Sequence, residues 1–175
     1  MVCTGNICRS PMAERLLAAH AARLGASAEV ASAGVRALVG HPAEPGAVAA
    51  MARRGIDLGD HVARSATPDL VDAADLVVTM EAAHLVDLVS ERGDRFERTF
   101  TLPELVDRCA DHPGRPGAPL CDWLAAVGEG RSARALVGAT GLDVADPYGG
   151  SGRRFLRCAD ELDELCGALA RSLWA

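Results

Sequence analysis

The sequence of 175 residues has no Lys and no Gln, a single Asn, a single Tyr and few aromatic residues. Its 18 Arg therefore supply all of the basic charge apart from His, and 24 acidic residues outnumber them to give a net charge of −6. Because nucleic-acid binding depends on neutralising phosphates, this balance does not favour a nucleic-acid partner. The sequence also lacks a run of about 20 apolar residues, so no membrane span is predicted.

The first residues lack the features of an export signal. Met1 and Val2 lead directly to Cys3, without a basic segment, an apolar stretch or a small-residue cleavage site. Hydrophobic residues make up 49% of the sequence, which is enough for a packed core and excludes a disordered chain. We therefore expect one domain, residues 1–175, in the cytoplasm, where the six cysteines stay reduced.

Glycine and proline divide the sequence into alternating helix and strand patterns. The first helix is predicted with Ser10 as its cap, Pro11 as its first residue and Gly25 as its end. Further helices are predicted near residues 44–54, 81–89, 103–110, 120–127 and 153–173. Strands are predicted near residues 29–32, ending in Ala33-Gly34, and near residues 74–80 and 98–102, and residues 128–151 are expected to be irregular. This alternation favours an α/β fold with a parallel sheet covered by helices on both faces.

The start of the chain conflicts with this pattern. A parallel sheet needs a strand before its first helix, yet only Met1 and Val2 precede Cys3. The loss of most of this strand should remove core side chains and leave neighbouring backbone groups unpaired. We expect either a truncated first strand or a start site placed downstream of the true one.

The segment that carries chemistry is Cys3-Thr4-Gly5-Asn6-Ile7-Cys8-Arg9-Ser10. A loop of this length before a helix can turn its backbone N–H groups toward a tetrahedral anion, and the helix N-terminus adds positive potential. The same potential stabilises a thiolate at Cys3, which can attack phosphorus. The planar guanidinium of Arg9 can hold two phosphoryl oxygens. The segment therefore predicts a phosphate-binding loop with a nucleophile at its entrance.

A second candidate segment is Asp146-Pro147-Tyr148-Gly149-Gly150. These residue types form ordinary turns, and a turn alone is an equally good interpretation. Beside a cysteine nucleophile, however, the Asp146 carboxyl could protonate a leaving group and then activate water. The single Tyr of the chain lies here and the single Asn lies in the first segment, which favours a functional role for both.

Residues 2–14, VCTGNICRSPMAE, resemble the signature of the low-molecular-weight protein tyrosine phosphatases. The resemblance continues through Ser32-Ala33-Gly34, ADLVVTM and DPYGG into the last helix, and leaves residues 103–143 poorly matched. It implies a four-stranded parallel sheet with helices on both faces. It also implies that Cys3 is the nucleophile, Arg9 the phosphate clamp and Asp146 the general acid and then base.

The same resemblance implies supporting roles. Ser10 would donate to the Cys3 sulfur, while Asn6 and Ser32 would hold the geometry of the loop. Cys8 could trap an oxidised Cys3 as a reversible disulfide. Neither a metal nor another cofactor is implied, and the five histidines, which lack metal-ligand spacing, are expected at the surface or half-buried.

The predicted substrate pocket distinguishes related activities. Leu38 stands where the family usually has an aromatic residue, which leaves Tyr148 to stack on a substrate. Protein arginine phosphatases tend to carry Thr at the position of Ile7, so Ile7 favours an aryl ester, although Leu38 and DPYGG keep an arginine phosphatase open.

The loop sequence is also compatible with two further functions. A thioredoxin-coupled arsenate reductase needs relay cysteines, and none lies between Cys8 and Cys109. A non-catalytic phosphate-binding module is the alternative from another class. The sequence thus predicts a phosphatase acting on protein phosphotyrosine through a phosphocysteine intermediate, with phosphoarginine as the alternative substrate.

Overall fold

The sheet at the centre of the molecule has four parallel strands. The computed structural model describes residues 1–112, 114–136 and 139–175. The strands are β1 (Val2–Cys3), β2 (Ala33–Gly34), β3 (Val77–Thr79) and β4 (Thr99–Thr101), in the spatial order β2-β1-β3-β4. Val2 in the central β1 lies opposite Ala33 on one side and Thr79 on the other. The predicted α/β fold with a four-stranded parallel sheet is confirmed.

Helices occupy the connections between the strands. They are α1 (Arg9–Arg23), α2 (Pro45–Ala52), α3 (Pro68–Asp72), α4 (Ala82–Glu91), α5 (Leu102–Ala110), α6 (Leu120–Val127), α7 (Ala133–Leu136) and α8 (Gly152–Trp174), with a 3-10 helix at Gly93–Arg98. The C-terminal α8 packs along α1 and also contacts α2 and α5. None of the described helices is both long enough and apolar enough to span a membrane.

Both faces of the sheet are covered. Successive side chains of a strand point to opposite faces, and the strand residues divide accordingly between two apolar clusters. Cys3 and Val78 belong to the larger cluster with residues of α1 and α8. Val2 and Val77 belong to the smaller cluster, with Val71 of α3 and Leu88 of α4. The predicted helices on both faces are therefore confirmed.

Several element boundaries differ from the predictions. The second strand is limited to Ala33–Gly34, the end of the predicted segment, because β1 has only two residues with which it can pair. The first helix begins at Arg9, and Ser10 lies inside it with its hydroxyl directed to Cys3 instead of capping the helix. α3, α7 and the 3-10 helix were not predicted, since each is too short to show a helical period.

The first strand is as short as expected, and a cavity of about 720 Å³ lies beside it. Its walls include Val2, residues 27–33 before and in β2, and residues 73–78 leading into β3. The Met1 ammonium donates to the Ala31 carbonyl at 2.8 Å. Burial lowers the pKa of this amine to about 6. The N-terminal end of the sheet is thus loosely filled and favours a neutral amine.

The segment that matched the family poorly is fixed to the sheet by one arginine. The Arg131 side chain, 2% exposed, donates to Glu104 of α5 at 2.8 and 3.1 Å. It also donates to the carbonyls of Phe96 and Thr99, and its guanidinium lies 3.7 Å from the centre of the Phe100 ring. The chain after α6 is therefore anchored at β4.

Candidate active site

Residues 3–10, the anion loop, join the central strand to the first helix. The loop leaves β1 at Cys3, at the carboxyl end of the sheet, and enters α1 at Arg9. Among the described residues, the backbone N–H groups of residues 4–8 donate to no protein acceptor. Unpaired N–H groups at the beginning of a 15-residue helix form an environment suited to an oxyanion.

Asn6 holds the loop in shape. It adopts the left-handed conformation, with φ of 56°, which Asn tolerates better than most residues. Its side-chain amide donates to the hydroxyls of Ser10 and Ser32, each at 2.9 Å, and its carbonyl oxygen accepts from the backbone N–H of Arg64 at 2.9 Å. The buried His61 contacts the Asn6 backbone oxygen at 2.6 Å. The side chain and the backbone oxygen of Asn6 are therefore engaged in fixing the turn, and its backbone N–H is left for an anion.

Cys3 lies at the entrance of this network. Its sulfur is buried and 3.0 Å from the Ser10 hydroxyl. Because Ser10 accepts from Asn6, its own hydrogen can be donated to the sulfur or to the Ala33 carbonyl at 3.3 Å. A hydroxyl donor at this distance stabilises a thiolate.

Gly34 allows the end of β2 to lie against the loop. A Cβ atom at this position would come 2.5 Å from the Thr4 carbonyl oxygen and 3.0 Å from the Asn6 nitrogen. Any side chain here would therefore displace the loop backbone, which explains the small residue in Ser32-Ala33-Gly34.

Arg9 connects three parts of the chain. Its guanidinium is hydrogen-bonded to Glu81, donates to the Val144 carbonyl at 3.0 Å and lies 3.0 Å from Asp146. The side chain is 2% exposed, and its Nε has no partner in the described part of the chain. Burial alone would lower the pKa of Arg9, but the hydrogen bond to Glu81 and the charges of Asp146 and Glu81 raise it. Arg9 is thus a permanent cation whose Nε–H has no acceptor among the described residues.

Asp146 is brought to the anion loop from 137 positions away in sequence. Its carboxylate accepts from the backbone N–H of Tyr148 at 3.2 Å, and its own carbonyl accepts from Arg154 at 2.9 Å. The Asp146 side chain remains 44% exposed, so it can reach a bound substrate and solvent. The segment is a turn and also places a carboxylate beside Arg9.

Two of the predicted pocket residues lie beside the loop, and the third, Tyr148, lies two residues after Asp146. Leu38 and Ile7 both lie near Gly5, whose missing Cβ would be 4.0 Å from Leu38 Cγ and 3.5 Å from Ile7 Cγ1. Ile7 is buried, whereas Leu38 and Tyr148 are among the exposed large hydrophobic residues, at 42% and 58%. Leu38 and the underlying Ile7 form an apolar ridge, and this ridge and the exposed Tyr148 ring are available to a substrate.

Cys8 differs sharply from Cys3 in its surroundings. Burial, followed by the negative charge of Asp146, raises the pKa of the Cys8 thiol far above its usual value. Cys8 is buried in the main apolar cluster and is a free thiol. It is therefore a neutral side chain in the structure, while Cys3 has the hydroxyl donor.

Comparison with known proteins places this geometry in a family. A family model described as "Low molecular weight phosphotyrosine protein phosphatase" matches residues 1–114, more than half of the chain. The chain belongs to this family.

Individual relatives are similar in sequence to this phosphatase over two thirds to nearly all of its length. A protein-arginine-phosphatase of Bacillus subtilis (strain 168) is 37% identical over 172 residues, which cover 98% of this chain and 93% of that protein. A probable low molecular weight protein-tyrosine-phosphatase, EpsP, of Ralstonia solanacearum is 43% identical over 115 residues, or 66% of this chain and 77% of that protein. The crystal structure of a YwlE mutant from Bacillus subtilis has a TM-score of 0.74 at 36% identity and covers 97% of this chain and 93% of that chain.

Sequence reasoning missed four residues of this phosphatase that hold the site together. Two buried histidines, His61 and His84, contact Asn6 and Thr4, so the expectation that the histidines lie at the surface or half-buried is wrong for both. Glu81 binds Arg9, and the backbone of Arg64 binds Asn6. These contacts join positions 55 to 80 residues apart, which no local pattern reveals. The described residues contain no group of three or more potential metal ligands.

Proposed function

We propose that this phosphatase hydrolyses phosphotyrosine on proteins through a phosphocysteine intermediate. The observation that carries the proposal is the meeting of three groups at one loop: the Cys3 sulfur beside the Ser10 hydroxyl, unpaired backbone N–H groups, and Arg9 beside Asp146. Nucleophile, anion binder and acid are the parts that phosphoryl transfer to a thiolate requires.

In the first step, the Cys3 thiolate attacks phosphorus and forms the S–P bond while the P–O bond to the tyrosine breaks. Asp146, in its protonated form, gives its proton to the departing phenolate oxygen. The loop N–H groups and Arg9 bind the three equatorial oxygens, whose charge changes most in the transition state.

In the second step, the Asp146 carboxylate takes a proton from water, whose oxygen attacks phosphorus and breaks the S–P bond. Inorganic phosphate leaves, and the Cys3 thiolate again accepts a hydrogen bond from the Ser10 hydroxyl. Asp146 ends the cycle protonated, ready for the next substrate. The exposure of its carboxylate supports this exchange with solvent.

The apolar ridge supports an aryl substrate. Ile7 lies within the loop and Leu38 beside it, and a tyrosine ring can pack against the ridge while Tyr148 stacks on it. An aromatic residue at position 38 would enclose the ring more fully, so Tyr148 has the larger share of this recognition.

Phosphoarginine is the second candidate substrate. It is favoured by the Bacillus subtilis protein-arginine-phosphatase, which is similar along nearly the full length of this chain, including the part beyond residue 114. The carboxylates of Glu81 and Asp146 at the loop could also accept hydrogen bonds from a substrate guanidinium. Ile7, in place of the Thr typical of arginine phosphatases, opposes it.

The proposed roles are tested first by leaving-group dependence. Asp146→Ala should reduce turnover of phenyl phosphate, a poor leaving group, by a factor of roughly a hundred or more, and that of p-nitrophenyl phosphate far less. Cys3→Ser supplies the background rate for both. Equal losses on the two esters would remove Asp146 as the acid, and activity retained by Cys3→Ser would remove the phosphocysteine.

Substrate class is decided by a direct comparison of kcat/KM on peptides of one sequence that carry phosphotyrosine or phosphoarginine. We expect the wild type to prefer phosphotyrosine and Ile7→Thr to shift the ratio toward phosphoarginine. Ile7→Val, which keeps the β-branch without a hydroxyl, is the matched control. A wild-type preference for phosphoarginine would establish the second candidate.

We also propose that residues 1–175 act as one phosphatase domain in the cytoplasm. The packing of α8 against α1 supports a single unit, since it joins the two ends of the chain. A reducing compartment suits a reaction that requires Cys3 as a free thiolate.

A further inference from the structure

His84 has no part in the chemistry described above, yet it touches the anion loop. It lies in the first turn of α4, where its backbone N–H donates to the Glu81 carbonyl at 3.1 Å. Its Nε2 is 2.8 Å from the Thr4 hydroxyl. The side chain is 2% exposed, and its Nδ1 has no partner among the described residues. Because a buried imidazole without a hydrogen-bond partner is costly, the contact with Thr4 should fix the position of both side chains.

Thr4 follows the nucleophile directly, and two contacts fix it. The Arg36 backbone N–H donates to the Thr4 carbonyl at 3.0 Å, and His84 holds the Thr4 side chain. The direction of the unpaired Thr4 N–H therefore depends on these two anchors. Asn6 fixes the following turn, so His84 is the side-chain anchor of the part of the loop nearest the sulfur.

The same helical turn also controls the arginine. Glu81, one turn before His84, is hydrogen-bonded to Arg9 and has its second carboxylate oxygen 3.9 Å from His84 Nε2. The N-terminal end of α4 thus makes two contacts with the site. His84 contacts Thr4, next to the nucleophile, and Glu81, just before the helix, contacts the phosphate clamp Arg9.

We propose that His84 is a positioning residue, whose neutral imidazole holds Thr4 and thereby sets the part of the anion loop next to Cys3 for phosphate binding and attack. The inference rests on the proposed phosphatase function and assigns to the same site a residue that acts through Thr4, without touching the reacting atoms.

The surroundings of His84 explain why the imidazole should be neutral. A neutral ring with its proton on Nε2 donates to Thr4 and leaves only a lone pair at Nδ1, whereas the cation places an N–H there without an acceptor. Burial lowers the pKa of His84, and Arg9 lowers it further, against the opposing charges of Glu81, Asp87 and Asp143. Protonation below pH 6.5 adds an N–H at Nδ1 for which the described residues provide no acceptor, so the ring should shift in its buried site and loosen the Thr4 contact.

A double-mutant cycle tests the inference. His84→Leu and Thr4→Val each remove the contact and keep similar volume, and kcat/KM on a phosphotyrosine peptide is measured together with the Kd for inorganic phosphate. Each single variant should lose about tenfold in kcat/KM, and the double variant should lose no more than either single one. Thr4→Ser, which keeps the hydroxyl, should retain most of the activity, and His112→Gln, at the end of α5, serves as the matched histidine control.

A pH series adds a readout that a purely structural role would not change. Between pH 6.5 and 5, phosphate binding by the wild type should weaken more than binding by His84→Leu or Thr4→Val. Should His84→Leu unfold, the pair Thr4→Val and Thr4→Ser decides the question, because both leave the core intact.

Losses that multiply in the double variant, or single variants with wild-type rates and Kd, would overturn the role of His84. A wild type no faster than Cys3→Ser would instead overturn the proposed function. The cycle in phosphate affinity would still decide whether His84 positions the loop.

Discussion

Arg9 and Arg131 are both almost fully buried and both pair with a glutamate, yet their surroundings differ. Arg131 donates to two carbonyls and to both oxygens of Glu104, and it lies over the Phe100 ring. Arg9 Nε has no partner in the part of the chain that the structure describes, and the guanidinium lies beside the anion loop and the exposed Asp146. Burial of a cation therefore does not mark a functional site. An incomplete set of partners beside unpaired N–H groups does.

The Met1 ammonium is a third cation, half-buried at the other end of the sheet, and completes the comparison. Its ammonium has one acceptor, the Ala31 carbonyl, and lies next to the large cavity at the opposite end of the sheet. An amine can lose its proton, whereas a guanidinium in a protein cannot. The three cations therefore differ in kind. Arg131 is satisfied by its protein partners, Arg9 is able to bind a ligand, and the Met1 amine tends to lose its proton.

The largest effect is expected from Arg9→Met. Removing the clamp should lower kcat/KM on a phosphotyrosine peptide by roughly a thousandfold, because its hydrogen bonds to the phosphoryl oxygens strengthen in the transition state. The free energy of unfolding should fall by only about 1 kcal/mol, because the buried Val144 carbonyl loses a donor, whereas Glu81, 29% exposed, can be solvated once its partner is gone. Steady-state kinetics and urea unfolding of the same preparation measure both. A fall in stability without a fall in rate would make Arg9 structural, like Arg131.

The opposite outcome is expected from Arg131→Met. Its loss leaves the Glu104 carboxylate, 6% exposed, in an apolar setting and should lower the free energy of unfolding by about 3 kcal/mol. Arg108 Nε, 3.6 Å from Glu104, keeps the loss at the lower end of the range for broken buried pairs. The kcat of the folded fraction should stay at the wild-type value. A large loss of kcat in folded protein would contradict a purely structural role.

Phosphate protection separates the two arginines by a binding measurement alone. A concentration of inorganic phosphate 100 times its Kd should raise the free energy of unfolding by about 2.7 kcal/mol in the wild type. Arg131→Met should gain the same amount at the same multiple of its Kd. Arg9→Met should gain nothing at the wild-type phosphate concentration, and equal protection of all three proteins would place phosphate binding away from the loop.

What sequence could predict follows from how local each feature is. The anion loop is contiguous, and α6 and α8 show clear patterns, so their places were found to within a residue or two. Glu81, His84 and Arg131 act through contacts 27 to 80 positions away, and their own neighbourhoods carry no signal of it. The start of β2 was predicted too early. Its length is set by pairing with the two residues of β1, which the composition of the segment itself does not reveal.

The smallest effect concerns the α-amine of Met1, in protein produced with Met1 retained as its first residue, and the pH dependence of stability. Burial lowers the pKa of its amine from 8.0 to about 6, so between these values the unfolded chain binds a proton that the folded chain does not. Above pH 8 both states are neutral and no stability is lost. As the pH falls from 8 to 6, the free energy of unfolding should fall by roughly 2 kcal/mol from this group alone, and then level off. Acetylation of the amine removes this titration and leaves every histidine in place, so the difference between acetylated and free protein in urea unfolding at pH 8 and pH 6 isolates it. If both forms lose equal stability over that range, the Met1 amine is solvated rather than buried, and the cation at this end of the sheet is an ordinary surface charge.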